Sequence, residues 1–276
     1  MEAPIGGLVT HPPCRLMAAI DDATSKLLDG FFIPVECSFR YLKLLQALVT
    51  RYRIPLSIYQ DCHGILRRND DNWSLEEQLA GEQERTQVGW CLKALGITPI
   101  FALTPQAKGR IERLFGVLQD RLIAEMELRD IKDREAGNRF LAEQFIDEYN
   151  CRFARVPEGA HGAWRRIPRD VDLERSISFR YQAVVGNDNA IRLGGIVIDI
   201  PEGKGKRGYA QAKVEVRQLL DGSWRVYYKD KLIAQSWATA LSEPIRARPR
   251  RKSTLRAACE YRWVYMASAV ESGHFY

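Results

Sequence analysis

The chain has 276 residues, 46% of them hydrophobic and 28% charged, enough to bury a core and hold more than one domain, which excludes a disordered or fibrous protein. Its net charge of +6 is uneven, with a balance of −3 over residues 1–160 and +9 over residues 161–276, so a polyanion is expected mainly at the C-terminal part. The six cysteines, Cys14, Cys37, Cys62, Cys91, Cys151 and Cys259, form no C-x-x-C pair, and no apolar run is long enough to span a bilayer; a zinc cluster, a disulfide framework and a membrane protein are not suggested, and the cytoplasm is the simplest compartment.

Two apolar runs open the readable pattern, Arg15–Ile20 and Leu27–Ile33, separated by Asp21-Asp22-Ala23-Thr24-Ser25. Those polar residues suit a turn, so the spacing predicts an antiparallel hairpin. Phe39, Leu42, Leu45, Val49 and Tyr52 then recur at helical spacing, and the helix must stop before Ile54-Pro55. A short strand follows in Leu56–Tyr59, ending at Gln60-Asp61. Within the polar stretch 67–87, Ser74-Leu75-Glu76-Glu77 has capping-box spacing and predicts a short helix. Val88, Cys91, Leu92 and Leu95 mark another helix, closed by Gly96. Ile97–Ala102 reads as a strand. Ile111, Leu114, Phe115, Leu118, Leu122 and Met126 form the stripe of a long helix, and Phe140, Leu141, Phe145 and Tyr149 that of a last one. This order implies an α/β sheet with helices packed on it.

The texture changes after residue 152. Pro157, Gly159, Gly162 and Pro168 mark a linker over 153–175. Short alternating strands follow over 176–242, among them 178–181, 196–200, 213–216 and 224–228, with turn signals at Asn187-Asp188-Asn189, Gly194-Gly195 and Asp221-Gly222. They predict a small β-barrel. Residues 243–276 form a basic tail, with Arg246, Arg248, Arg250, Arg251, Lys252 and Arg256 and no acid between 244 and 256.

Chemistry concentrates in Thr104-Pro105-Gln106-Ala107-Lys108-Gly109-Arg110-Ile111-Glu112-Arg113. On a helix, Glu112 sits at the edge of the apolar stripe, with Lys108 one turn before it and Gly116 one turn after. A carboxylate so placed can hold a metal beside a phosphate, although Lys108 and Glu112 also have the spacing of an ordinary surface ion pair. Asp61, at the C-terminal end of a predicted strand, stands where α/β sheets place functional groups, and equally where a turn wants an aspartate.

Tyr59-Gln60-Asp61-Cys62-His63-Gly64-Ile65-Leu66 followed by Pro105-Gln106-Ala107-Lys108-Gly109-Arg110-Ile111-Glu112 resembles the second and third acidic motifs of DDE transposases, the relatives of retroviral integrases. Trp73-Ser74-Leu75-Glu76-Glu77, Tyr149-Asn150-Cys151-Arg152-Phe153-Ala154 and the segment ending near Leu232-Ile233-Ala234 resemble the ISNCY-type branch. The resemblance covers roughly residues 14–240. It implies a ribonuclease-H-like core over 1–152, DNA as the partner, a homo-oligomer in the full-length protein, and two-metal phosphoryl transfer with Mg²⁺ or Mn²⁺ on three carboxylates. By matching position, Asp61 is the second carboxylate and Glu112 the third, with Lys108 steering a phosphate. Lys204, Lys206, Arg207 and the run Arg246, Arg248, Arg250, Arg251, Lys252 are the expected DNA contacts.

One element departs from the family pattern. The first aspartate belongs on a strand upstream of the hairpin, and Met1 to Cys14 contains none. Asp21 and Asp22 fall in the hairpin turn instead. The expectation is a truncated or frame-shifted copy with an incomplete first strand. Three readings stay open: a DNA strand transferase, a catalytically inactive remnant that holds DNA or a full-length partner, and an unrelated nuclease using two metals.

Overall fold

The computed structural model describes residues 15–60, 64–66, 68, 73–101, 105–157, 162–203 and 208–238, with backbone alone at 105–115 and 119. Strands β1 (Arg15–Ile20) and β2 (Leu27–Ile33) form the hairpin over the expected residues. The Asp21 N–H donates to the Lys26 carbonyl at 2.9 Å, and the Thr24 hydroxyl donates to the Asp21 carboxylate, so Asp21 closes the turn. Alternation along β1 sends Leu16, Ala18 and Ile20 into one apolar cluster and Met17 and Ala19 into another. A strand buried on both faces is the middle layer of a three-layer arrangement.

Helix α1 (Ser38–Tyr52) covers the Met17 side with Leu42, Leu45, Leu48 and Val49. A two-residue strand β3 (Ile54–Pro55) precedes β4 (Ser57–Gln60). Helix α2 (Leu75–Ala80) begins with the predicted capping box: Ser74 Oγ accepts from the Glu77 N–H, and Glu77 accepts from the Ser74 N–H. Helix α3 (Gln87–Ala94) packs beside α1 through Val88, Cys91 and Leu92, and Gly96 behind it takes a φ of +59°, which glycine adopts without strain. β5 (Thr98–Phe101) pairs with β4 in parallel.

On the other face lie α4 (Pro105–Leu128), α5 (Arg134–Phe140) and α6 (Ile146–Phe153). They bury Leu118, Leu122, Phe140, Ile146 and Tyr149 against Leu16, Ala18 and Ile20. The single helix expected through Phe140 and Tyr149 is interrupted by a π-turn at Leu141–Phe145. One extra residue in that turn keeps Leu141, Phe145 and Tyr149 all buried.

The expected linker carries structure. β6 (Trp164–Arg165) pairs with β3, and α7 (Leu173–Ser176) leads into β7 (Phe179–Val184). Beyond it come the hairpin β8 (Ala190–Leu193) and β9 (Ile196–Asp199), then β10 (Lys213–Gln218), β11 (Trp224–Tyr228) and β12 (Lys231–Ser236). The predicted β-barrel is corrected here. Among the described residues the ladder order is β12-β11-β10-β7, an open antiparallel sheet with β8-β9 as a separate pair. The hairpin touches β12 and β7 without joining either ladder. Turn geometry rather than strand pattern decides whether such a sheet closes.

Side-chain amides bracket the exposed backbone of these strands. Asn150 Oδ1 accepts from the Leu27 N–H and its Nδ2 donates to the Leu27 carbonyl, both at 2.8 Å. Asn138 does the same to Phe32, at 2.6 Å and 3.3 Å. Residues 27 and 32 are an odd number apart and would face opposite edges of a regular strand. The register shift opposite Ala19/Ile20 brings both to the outer edge. On β7, Gln87 brackets Arg180 with two bonds of 2.8 Å, and Cys91 Sγ donates to the Ser178 carbonyl at 3.3 Å, tying α3 to the second sheet. Asn150→Ala strips two backbone groups of their partners, and a loss of about 1–3 kcal/mol is expected in urea denaturation. A loss under about 0.5 kcal/mol would mean that water replaces the amide freely.

Candidate active site and nucleic-acid surfaces

The parallel ladder aligns Ser57 with Thr98 and Gln60 with Phe101. Two parallel neighbours end on the same side of a sheet, so the chain leaves β4 toward Asp61 and leaves β5 toward α4 at one end. Helix α4 starts at Pro105, well before the apolar stripe, so Lys108 and Glu112 are both helical and one turn apart. Proline suits the first helical position, where its missing N–H costs nothing. Asp61, Cys62 and His63 lie outside the described residues, as do the side chains of Lys108 and Glu112. Among the described residues, a Cβ built on Gly116 meets nothing within 4 Å.

Gln60, the last residue of β4, is 1% exposed. Its Oε1 accepts from the Tyr41 hydroxyl at 2.9 Å, while its Nε2 has no partner among the described residues. A buried donor without an acceptor is costly, by about 1–3 kcal/mol, and this one sits next in sequence to Asp61. An oxygen-rich ligand arriving there would satisfy it. The donor chemistry suits a hard cation as well, because both proposed ligands are carboxylates. Among the described residues no group of three or more His, Cys, Asp or Glu is placed to hold a metal. Tyr59, partly buried, has its hydroxyl pKa pushed up by burial and then by the charge of Asp22.

Lys204, Lys206, Arg207 and the basic run Arg246, Arg248, Arg250, Arg251 and Lys252 also lie outside the described residues. Within them, positive charge gathers at places that composition alone does not single out. Trp90 has Arg180 4.5 Å, Lys93 5.3 Å and Arg85 5.7 Å from its ring centre. Glu215 meets three guanidinium groups: Arg180 and Arg217 at 2.8 Å and Arg175 at 3.2 Å. Arg175 also reaches Asp230 and lies 4.1 Å from the Tyr227 ring centre. The acid and the arginines are 35 to 40 residues apart or two, with no periodic signal joining them. Cys91 is sealed in the core, and burial pushes its thiol up to about 12, so it is no nucleophile at neutral pH.

No family model matches the chain. Over 218 residues it is 33% identical to a protein of Sinorhizobium fredii (strain NBRC 101917 / NGR234) named "Putative transposase y4bF". Over 220 residues it is 28% identical to the "Transposase for insertion sequence IS1202" of Streptococcus pneumoniae. Each match covers 79% of this chain and 46% of the relative, so the chain spans about half the length of the curated relatives it matches. These similarities support a transposase family for the chain. Among the described residues no helix is long and apolar enough to cross a membrane.

Proposed function

We propose that the chain serves DNA transposition through a DDE-type core with a ribonuclease-H-like sheet, working in the cytoplasm and as a homo-oligomer when full length. One observation carries the reading. The Pro105-Gln106-Ala107-Lys108-Gly109-Arg110-Ile111-Glu112 string opens α4 directly after β5, and β5 is the parallel neighbour of the strand that leads into Asp61. The two transposase relatives support it. In this reading Asp61 and Glu112 hold Mg²⁺ or Mn²⁺, which when bound supplies an activated oxygen nucleophile and a clamp on the leaving oxygen. Lys108 holds a DNA phosphate one turn from Glu112. Lys204, Lys206, Arg207 and the Arg246–Lys252 run neutralise further phosphates, which fixes position without reading sequence.

A second reading, a DNA-holding module that does not cut, has its own support. Met1 to Cys14 offers no aspartate, and Asp21, the nearest one, is engaged in the hairpin turn by Thr24 and Lys26. The chain as it stands is therefore expected to bind a divalent cation loosely and to leave insertion-sequence-end DNA uncut. Calorimetric Mn²⁺ titration of the wild type, Asp61→Asn and Glu112→Gln tests the carboxylate pair, since unchanged binding in both variants removes it. A cleavage assay with Mg²⁺ or Mn²⁺ tests the second reading. Cutting that disappears in Glu112→Ala would show a complete site and overturn it.

A further inference from the structure

The short β3-β6 ladder folds the start of the connecting segment back onto the end of α1. Ile54 pairs with Arg165 and Pro55 with Trp164, and the Leu56 N–H donates to the Ala163 carbonyl at 2.9 Å. The rings of Tyr52 and Trp164 meet at 5.8 Å. Arg53 precedes the first paired residue of one strand and Arg166 follows the last of the other, so both leave the same end of the ladder. Arg169 is three residues on, within about 11 Å along even a fully extended chain. Arg53, Arg166 and Arg169 are all exposed, and among the described residues their side chains make no hydrogen bond or ion pair.

Among the described residues, all five arginines beyond residue 170 are engaged. Arg175, Arg180, Arg217 and Arg225 hold carboxylates, and Arg192 holds Asp188. Among the described residues no acid near the ladder lies within ion-pair distance of these three. Asp29 faces Arg51, whose guanidinium stands 5.4 Å from the Tyr52 ring centre. Asp147 acts on Tyr52, and Asp170 follows Arg169 in the sequence. Like charges held together without a paired counter-charge are the footprint of a phosphate-binding surface.

Arg53 adds a second signal. It takes φ +98°, with its N–H returning to the Val49 carbonyl at 3.0 Å. Glycine adopts that conformation freely, and a residue with a side chain adopts it under strain. The position is thus poor for the fold and well placed for a guanidinium.

We infer that Arg53, Arg166 and Arg169, flanked by Arg51 and Trp164, form a contact site for the sugar-phosphate backbone of duplex DNA, separate from the Asp61–Glu112 region. The inference rests on the transposase reading. It adds a phosphate surface at the joint between the core and the second sheet, where the resemblance supplies none.

The test is binding of a labelled duplex by the full chain at a series of salt concentrations. The wild-type slope of log K against log salt is the reference. In Arg53→Gln/Arg166→Gln/Arg169→Gln it is expected to flatten by about 2–3, at roughly 0.9 for each phosphate no longer neutralised. A charge-matched control, Lys132→Gln/Arg134→Gln/Arg192→Gln, removes cations already paired with Asp130, Glu135 and Asp188 and is expected to flatten it by less than about 1. Arg53→Gly separates binding from folding: its thermal midpoint should stay or rise while its slope falls by about 0.9. Equal slopes in the triple variant and the wild type would overturn this site and leave the transposase reading standing. Equal flattening by the control would overturn it as well, reducing it to net charge. A wild type that binds no duplex at low salt would overturn both.

Discussion

Trp224→Ala is expected to destabilise the chain by about 3–5 kcal/mol, the range for removing a large aromatic side chain from a packed core. Trp224 is fully buried on β11 and packs with Val214, Val216, Val226, Ile191 and Ile198. Its ring lies 6.1 Å from that of Tyr181 on β7, so it reaches across β10 toward the far strand of the sheet. Its neighbours are shorter aliphatic side chains that cannot refill the space, and the cavity term adds to the lost transfer energy. Urea denaturation followed by circular dichroism gives the difference. A loss below about 1.5 kcal/mol would show that the second sheet collapses onto the gap and is less tightly packed than its burial implies. Trp224→Phe, which keeps a ring, should recover about half of the loss.

Glu215→Ala is expected to cost about 2–4 kcal/mol at neutral pH. Removing one member of a buried ion pair costs about 3–5 kcal/mol because the remaining charge stays buried and unpaired. Arg217 is in that position, with 10% of its side chain exposed, but Arg175 and Arg180 keep 26% and 28% and can turn to water, which lowers the figure. The same ion pairs set a pH dependence. Burial raises the Glu215 pKa, and the hydrogen bond and charge of Arg217, then Arg180 and Arg175, outweigh it, leaving the carboxyl below its usual range. Below the unfolded glutamate value of about 4.3, the unfolded chain takes up the proton first, so acid favours unfolding. The contribution is complete above that value and is lost as pH falls through the lower folded one. Denaturation midpoints of wild type and Glu215→Gln should therefore converge on acidification below pH ~4. A constant gap between them down to pH ~2 would remove the ion cluster as its cause.

The β1-β2 hairpin was legible residue by residue because alternation, the turn residues and a two-sided apolar surface all agree within nineteen positions, 15–33. The α2 start was legible for a similar reason, since a capping box is written within four residues. Helix α4 was legible in kind but begins earlier than its stripe, because its first two turns are polar and glycine-containing. The β3-β6 ladder left no trace, as two-residue strands have no period. The barrel expectation failed on closure, which depends on how β8-β9 sits between β12 and β7 rather than on any strand's own pattern. For the candidate site, the Lys108–Glu112 spacing was visible because a helix imposes it. The Glu215 cluster was invisible because its arginines arrive from α7, β7 and β10. The basic character of the ladder end was hidden in plain composition: Arg53 and Arg166 are 113 positions apart in sequence and meet only through pairing.

The asparagine brackets on β2 also bear on how the protein ages. Hydrolysis of an asparagine amide, a slow reaction in any protein solution, replaces the donating nitrogen with a carboxylate oxygen. At Asn150 that oxygen would face the Leu27 carbonyl now held at 2.8 Å, turning an attraction into a repulsion and putting a negative charge against the core. The Leu27 N–H would keep its acceptor, but the Leu27 carbonyl would lose its donor and stand bare on the edge of β2. Ageing at Asn150 would thus convert a capped position of β2 into one with an unsatisfied acceptor and an added charge.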